Sequence, residues 1–185
     1  AVGRSDISDG ALRINWSRGS GGRGLQPPAQ AKGRCWGSLY PHQPSFQRQQ
    51  VVISERVQRW ADDPLKGCKT LDYSAMVLAR LEASQAGASD VLLRSSQGGL
   101  CCGSSANLLV QEGGQWLTPP LSSGALPGVM RARGVAMGLI QEARLADSLP
   151  NEQPALLLNS LDCRPLNHIA EPLAEPLFVQ LLGSD

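Results

Sequence analysis

The feature that narrows this chain most is the shortness of its apolar runs. Val91-Leu92-Leu93, Leu100-Cys101-Cys102, Leu108-Leu109-Val110 and Ala155-Leu156-Leu157-Leu158 are each stopped within a few residues by polar or turn-forming positions. Runs of this length, bounded by Gly, Ser and Asn, read as strands. The last is apolar throughout and suits a strand buried on both faces. None approaches the roughly 20 apolar residues that cross a bilayer, and the N-terminus has no apolar signal core, so the expectation is a cytoplasmic protein without membrane contact.

Other elements arrange themselves around these runs. Leu12 to Ser17 alternates apolar and polar residues, which predicts a strand with one buried face. A second strand is expected over Arg34 to Tyr40 and a third over the β-branched stretch Gln50 to Ser54, followed by a polar, turn-rich segment from Arg56 to Lys66. Tyr73 to Gln85 reads as a helix with Tyr73, Met76, Val77 and Leu81 as its core stripe and Gly87 as its stop. Val91 to Arg94 and Leu100 to Val110 form a hairpin across the turn Ser95 to Gly99, and Gln111 to Gln115 is a second tight turn. A helix opens in Gly124 to Arg131 and is expected to run to about Ala143; the amphipathic Leu177 to Leu182 closes the chain as another.

At 185 residues the chain can form one domain, or one domain and a fragment of a second. A net charge of +1 argues against nucleic acid or an anionic membrane as the main partner. The five cysteines, at 35, 68, 101, 102 and 163, have no paired metal-ligand spacing, so no metal is expected. Neighbouring Cys101 and Cys102 are expected to point to opposite faces of a strand, and the odd count suits reduced, buried thiols.

Five stretches are candidates for chemistry. In Gly67-Cys68-Lys69-Thr70-Leu71-Asp72-Tyr73 one lysine stands among small or apolar neighbours where a loop becomes a helix. An amine held partly out of water there has a lowered pKa, which suits imine-forming chemistry; the same residues also suit a surface lysine. The glycine-rich Arg18 to Gly24 lets backbone approach a ligand, with Arg18 and Arg23 able to meet carboxylates or phosphates, although it also reads as a plain hairpin tip. It lacks the lysine and hydroxyl residue of a nucleotide-triphosphate loop. At Leu126-Pro127-Gly128-Val129-Met130-Arg131 a helix start with a glycine offers free amides to phosphate, or is simply a Pro-Gly cap. Gly103 to Ala106 is small enough to pass under a flat ligand, and Asn159-Ser160 ends a buried strand with polar groups. His168 reads as packing or surface.

Taken in order, Arg18 to Gly24, Gly67 to Tyr73, Cys102-Gly103-Ser104-Ser105-Ala106-Asn107, Thr118-Pro119-Pro120-Leu121, Leu126 to Arg131 and Asn159-Ser160-Leu161 resemble the fold-type IV pyridoxal-phosphate enzymes. The resemblance covers roughly residues 12 to 165. It implies an α/β (α+β) class IV aminotransferase-like large C-terminal domain, with most of a small N-terminal domain outside this chain. Residues 1–60 would be the end of the N-terminal region and interdomain strands, and 61–185 the cofactor-binding domain.

The resemblance further implies pyridoxal 5′-phosphate bound covalently through Lys69, with Tyr73 near its phenolic oxygen and Cys102 at its pyridine nitrogen. Ser104 and Ser105 would line the floor, Leu126 would pack beside the ring, and Gly128, Val129, Met130 and Ser160 would hold the phosphate. Arg18 and Arg23 would meet substrate carboxylates. Cys102 stands where the family usually has a glutamate, and Met130 where its transaminases usually have a threonine. The arginine-glycine loop and Met130 look most like the aminodeoxychorismate lyases, whereas Tyr73 resembles the branched-chain enzymes. The implied activity is release of pyruvate from 4-amino-4-deoxychorismate to give 4-aminobenzoate, a folate-pathway step, by a homodimer. The alternatives are class IV transamination of branched-chain or D-amino acids, or a degenerate cofactor-binding protein.

Overall fold

The computed structural model describes residues 6–149 and 152–183. The chain divides after Gln43 into two compact units. The division falls earlier than residue 60 because the third strand pairs within the second unit.

The first unit is a ribbon of β1 (Gly10–Ser17) and β2 (Arg34–Pro41), antiparallel from Gly10 opposite Pro41 to Ser17 opposite Arg34. Residues directly opposite one another share a face, so Leu12, Ile14 and Trp16 lie with Leu39, Gly37 and Cys35. The alternation is as expected, but the burial is not: Leu12, Ile14 and Trp16 are 53%, 67% and 79% exposed. A two-stranded ribbon has no second layer of its own to cover an apolar face.

The second unit is built on a sheet of order β10-β9-β6-β5-β4-β3, with β7 beside β6 and β8 beside β7. β3 (Val51–Arg59) and β4 (Asp90–Ser95) are parallel and joined by α1 (Ser74–Gln85), a strand-helix-strand crossover whose connecting loop carries Lys69. β3 runs five residues beyond Ser54 into the polar segment, past a register shift between Ile53 and Gln58. The hairpin partner of β4 is two strands, β5 (Leu100–Gly103) and β6 (Asn107–Glu112), because Ser104 to Ala106 turns the chain. β6 pairs with β9 (Ala155–Leu158) along one edge; its other edge meets β5 at Asn107 and β7 (Gln115–Thr118) from Val110 onward. β8 (Ile140–Glu142) and β10 (Cys163–Pro165) complete the sheet.

Its strands read as unbroken apolar runs because both faces are covered. Leu92, Leu108, Val110 and Leu157 pack on one side with Leu145 and Leu149 from the segment after β8. On the other side Val91 and Leu93 meet α1, while Leu109, Leu156 and Leu158 meet α3 (Glu171–Leu182) through Leu177, Phe178 and Leu181. Phe178 also receives Phe46 edge-on, with ring centroids 5.7 Å apart.

Several expectations are corrected here. α1 turns Ala79 and Ala83 to the sheet, with Met76 beside them; Val77 and Leu81 are each 54% exposed and Tyr73 is 36% exposed. Close approach of a helix to a sheet selects the small residues, and the larger stripe is left outside. α2 (Val129–Ala136) ends seven residues before Ala143, because Gly138 at φ +74° reverses the chain into β8. α3 begins at Glu171 rather than Leu177, with Pro172 in its first turn, where the missing amide proton costs nothing. Cys35 and Cys68 are exposed; only Cys101, Cys102 and Cys163 are buried. No helix among the described residues is long and apolar enough to cross a membrane.

Candidate functional site

One polar residue organises the middle of the second unit. Asn107 opens β6, opposite Cys102 of β5 and Leu158 of β9. Its side chain is almost wholly buried, and its Nδ2 donates to the Leu126 carbonyl at 2.9 Å. A Cβ placed on Gly128 would stand 2.1 Å from Asn107 Oδ1, so the backbone at Gly128 passes directly over the asparagine amide. Gly128 is the N-cap of α2, and no side chain caps that helix. The first-turn amides, those of Val129, Met130 and Arg131, precede any intrahelical acceptor and are thus open to an anion.

The loop leading there is fixed at both ends. Thr118 Oγ donates to the Leu108 carbonyl at 2.9 Å, and buried Arg131 donates to the Pro119 carbonyl at 2.8 Å and pairs with Glu142. Arg59, at the end of β3, donates to the Gly124 carbonyl at 2.9 Å, tying this loop to the strand that leads to Lys69. On the opposite edge of Asn107, Asn159 Nδ2 donates to the Ser105 carbonyl at 3.4 Å, which brings Ser160 alongside the Ser104–Ser105 turn. That turn is braced by Asp90, a fully buried carboxylate that accepts from the Val91 and Ser104 amides and is flanked by Arg80 at 3.3 Å and Arg164 at 3.8 Å.

The structure therefore groups Cys102, Ser104, Ser105, Leu126, Gly128, Val129, Met130 and Ser160 around Asn107. Asn107, Thr118 and Arg131 stood in the quoted motifs without a role of their own, and Arg59 and Asp90 stood in none. Their signal would have been polar types set inside or beside apolar runs. Met130 is buried in the core with Trp116 and Ile140, leaving its backbone amide as its contribution, whereas Val129, Ser105 and Ser160 are exposed.

Of the two readings of Lys69 the structure shows the surface one: it lies exposed in an irregular segment, with Gly67 and Cys68 equally open. Its position is fixed by what flanks it. The chain leaves the carboxyl end of β3 through Lys66, which donates to the Ala61 carbonyl, and enters α1 at Ser74, whose hydroxyl and amide both bond Asp72. The Ser74 hydroxyl and then its amide hold the Asp72 carboxyl below its ordinary value. Loops at carboxyl ends of parallel strands are the usual ligand-bearing loops of such sheets. Arg18 and Arg23 belong to the first unit, where Arg18 donates to the Pro28 carbonyl at 3.4 Å.

Cys101 and Cys102 do not face opposite ways. A register shift sets Leu93 opposite Cys102 and Arg94 opposite Leu100, so Cys101 is the extra residue of a bulge, and both thiols enter one buried cluster. Cys101 Sγ donates to the Ser123 carbonyl at 3.4 Å. The hydrogen bond with Cys101, and then burial, push the Cys102 thiol well above its ordinary value, so Cys102 presents a neutral S–H. Burial also pushes Cys163 up, to about 12. Among the described residues no group of three His, Cys, Asp or Glu is placed to hold a metal ion.

The chain is similar to known proteins in sequence and in fold. A "Putative aminodeoxychorismate lyase" of Schizosaccharomyces pombe is 36% identical over 85 residues, 44% of this chain and 37% of that protein. A "Putative branched-chain-amino-acid aminotransferase" of Methanocaldococcus jannaschii is 28% identical over 129 residues, 69% of this chain and 45% of that protein. The chain thus spans less than half the length of these curated relatives. Among solved structures, a "Putative 4-amino-4-deoxychorismate lyase" of Legionella pneumophila shares the fold at TM-score 0.81 and 22% identity, over 94% of this chain and 69% of that one. The sequence model of the family described as amino-transferase class IV matches residues 1–169. With that match spanning most of its length, the chain belongs to the class IV amino-transferases, the fold-type IV pyridoxal-phosphate enzymes.

Proposed function

We propose that the protein to which this chain belongs binds pyridoxal 5′-phosphate and acts as a lyase on 4-amino-4-deoxychorismate, releasing pyruvate and 4-aminobenzoate. The observation that carries the cofactor reading is the uncapped start of α2 over Asn107. A side chain at Gly128 would close it, and no protein group occupies its free amides. The fit is good for the phosphate, which Val129 and Met130 would bind through backbone N–H and Ser160 through its hydroxyl.

When bound, the cofactor supplies an electron sink for the bond-breaking at the substrate's α-carbon. Lys69 would be its attachment point and, with its amine free, the base that takes the proton from the substrate's α-carbon. Leu126 would support the ring and Tyr73 would be the residue beside its phenolic oxygen. Cys102, a neutral thiol, would not keep the ring nitrogen protonated as a carboxylate does, which predicts a weaker sink than a glutamate gives. Arg18 and Arg23 are proposed for the substrate carboxylates. The whole protein is proposed to be a cytoplasmic homodimer.

Lyase is preferred over transaminase because the relative of higher identity, though over the shorter stretch, carries the lyase description. The test has two arms. Borohydride reduction in the presence of pyridoxal phosphate should leave an adduct on the peptide containing Lys69, absent in Lys69→Ala; no adduct refutes the cofactor reading. Pyruvate should then appear from aminodeoxychorismate without added 2-oxo acid, and turnover only when a 2-oxo acid is supplied establishes the transaminase instead.

A further inference from the structure

Asp90 is fully buried, and its two carboxylate oxygens divide their partners. Oδ1 accepts from the Val91 amide at 2.8 Å and from the Ser104 amide at 3.4 Å. Oδ2 accepts no hydrogen bond and faces two guanidinium groups, Arg80 Nη1 at 3.3 Å and Arg164 Nη2 at 3.8 Å. We propose that Arg164 is a positioning residue for the cofactor site: it anchors Asp90, and Asp90 in turn holds the Ser104–Ser105 turn that makes the floor. The inference rests on the pyridoxal phosphate reading, because the floor has a task only when a cofactor lies on it.

The three charged residues come from distant parts of the chain. Arg80 is on α1, Asp90 begins β4, and Arg164 is the middle residue of β10, opposite Leu157 of β9. Leu157 also reaches the turn, since a Cβ on Gly103 would stand 2.9 Å from its Cδ2. The floor is thus seated on β9, and its polar ties to the rest of the unit are the Ser104 amide to Asp90 and the Ser105 carbonyl to Asn159, both at 3.4 Å. Hydrogen bonds of that length are weak and are the first to open when a partner moves.

The two arginines are not equal. The Arg80 side chain is 48% exposed, so water and salt screen its attraction for Asp90. The Arg164 side chain is 14% exposed, its Nε is buried without an acceptor, and Asp90 is its one ion-pair partner among the described residues. Attraction between buried charges is screened far less, and a buried guanidinium has no solvent to turn to. Without Arg164, Oδ2 would be left with the half-exposed Arg80 alone, and a carboxylate free to follow that side chain no longer keeps Oδ1 at the Ser104 amide.

The experiment uses the full chain and two readouts: amide hydrogen exchange by nitrogen-15 NMR without cofactor, and pyridoxal phosphate affinity from the visible absorption of the bound form. Arg164→Met should speed exchange at the Ser104 amide by about tenfold and weaken pyridoxal phosphate binding by about the same factor, the size of one lost hydrogen bond. Exchange at the core amides of Leu109 and Leu156 should stay at the parent rate. Arg164→Lys, which keeps the cation, should recover most of both losses, and Arg80→Met should change both far less. Asp90→Asn keeps the shape and the acceptor at Oδ1 but loses the anchor; it carries the same expectation as Arg164→Met and replaces it should that variant not fold. Unchanged exchange at Ser104, equal losses in the Arg80 and Arg164 variants, no recovery with lysine, or failure of both Arg164→Met and Asp90→Asn to fold would each overturn the proposal. A parent chain that binds no pyridoxal phosphate overturns the cofactor reading and the floor's task with it, whereas a parent that binds and an Arg164→Met variant that binds equally well overturn the role of Arg164 alone.

Discussion

The contact between Asn107 and Gly128 makes a sharp prediction about coupling. Gly128 sits at φ −64° and ψ 143°, a region open to any L-residue, so Gly128→Ala meets no backbone strain. Its cost comes from the new methyl group, 2.1 Å from Asn107 Oδ1, in a site with no room to give because Nδ2 of the same amide is bonded to Leu126. Overpacking of this kind costs about 1–3 kcal/mol. Asn107→Ala leaves the Leu126 carbonyl without its donor in a buried setting, also about 1–3 kcal/mol. In the double variant the clashing oxygen is gone, so Gly128→Ala adds only the N-cap difference between glycine and alanine, about 0.5–1 kcal/mol. The overpacking term vanishes from the double variant, a coupling of roughly 1–3 kcal/mol. Urea unfolding followed by far-UV circular dichroism measures all four proteins, with a common m-value confirming a common unfolding reaction. Costs that simply add, to within about 0.5 kcal/mol, would refute the claim that this contact positions the start of α2.

Two further outcomes follow from burial and hydrogen bonding. Brief treatment of the native chain with iodoacetamide should modify Cys35 and Cys68 and spare Cys101, Cys102 and Cys163, with all five reacting in denaturant; early modification of Cys101 or Cys102 by mass spectrometry would contradict their placement under α1. The Ser54 hydroxyl, 2.6 Å from Glu82, and then the Glu55 amide hold the Glu82 carboxyl below its ordinary value of 4.5. Because the folded-state value is depressed, this contribution is complete above about pH 4.5 and is lost as pH falls through the folded-state value. Ser54→Ala should make the acid limb of a stability-against-pH curve shallower, and an unchanged limb would show that the pair carries no linkage.

The apolar runs at 91–93, 108–110 and 155–158 were legible as strands because a strand buried on both faces needs every side chain apolar, and no other short element does. The helix at 74–85 and the glycine helix start at 128 were equally local, being written in turn residues and caps. What failed was any inference from periodicity to partner. The stripe Tyr73, Val77 and Leu81 and the alternation Leu12, Ile14 and Trp16 are real faces, but periodicity names a face without saying what lies against it. The two thiols followed the same logic: strand geometry alone sets neighbours on opposite sides, and a bulge opposite Arg94 reversed that.

By itself, then, the order of the motifs determined the family, and the short runs determined a sheet covered on both sides. Only the tertiary structure decided that Asn107 is the hub on which the 102–107 turn, the Gly128 helix start and the 159–160 turn converge. Only it decided that Cys102 is a buried, neutral thiol, and that Arg18 is turned to the Pro28 carbonyl. The physical reason is common to all three. Turns and strands are set by each residue's own backbone and immediate neighbours, whereas a donor's partner and a thiol's charge state depend on atoms far away in sequence that only the folded chain brings near.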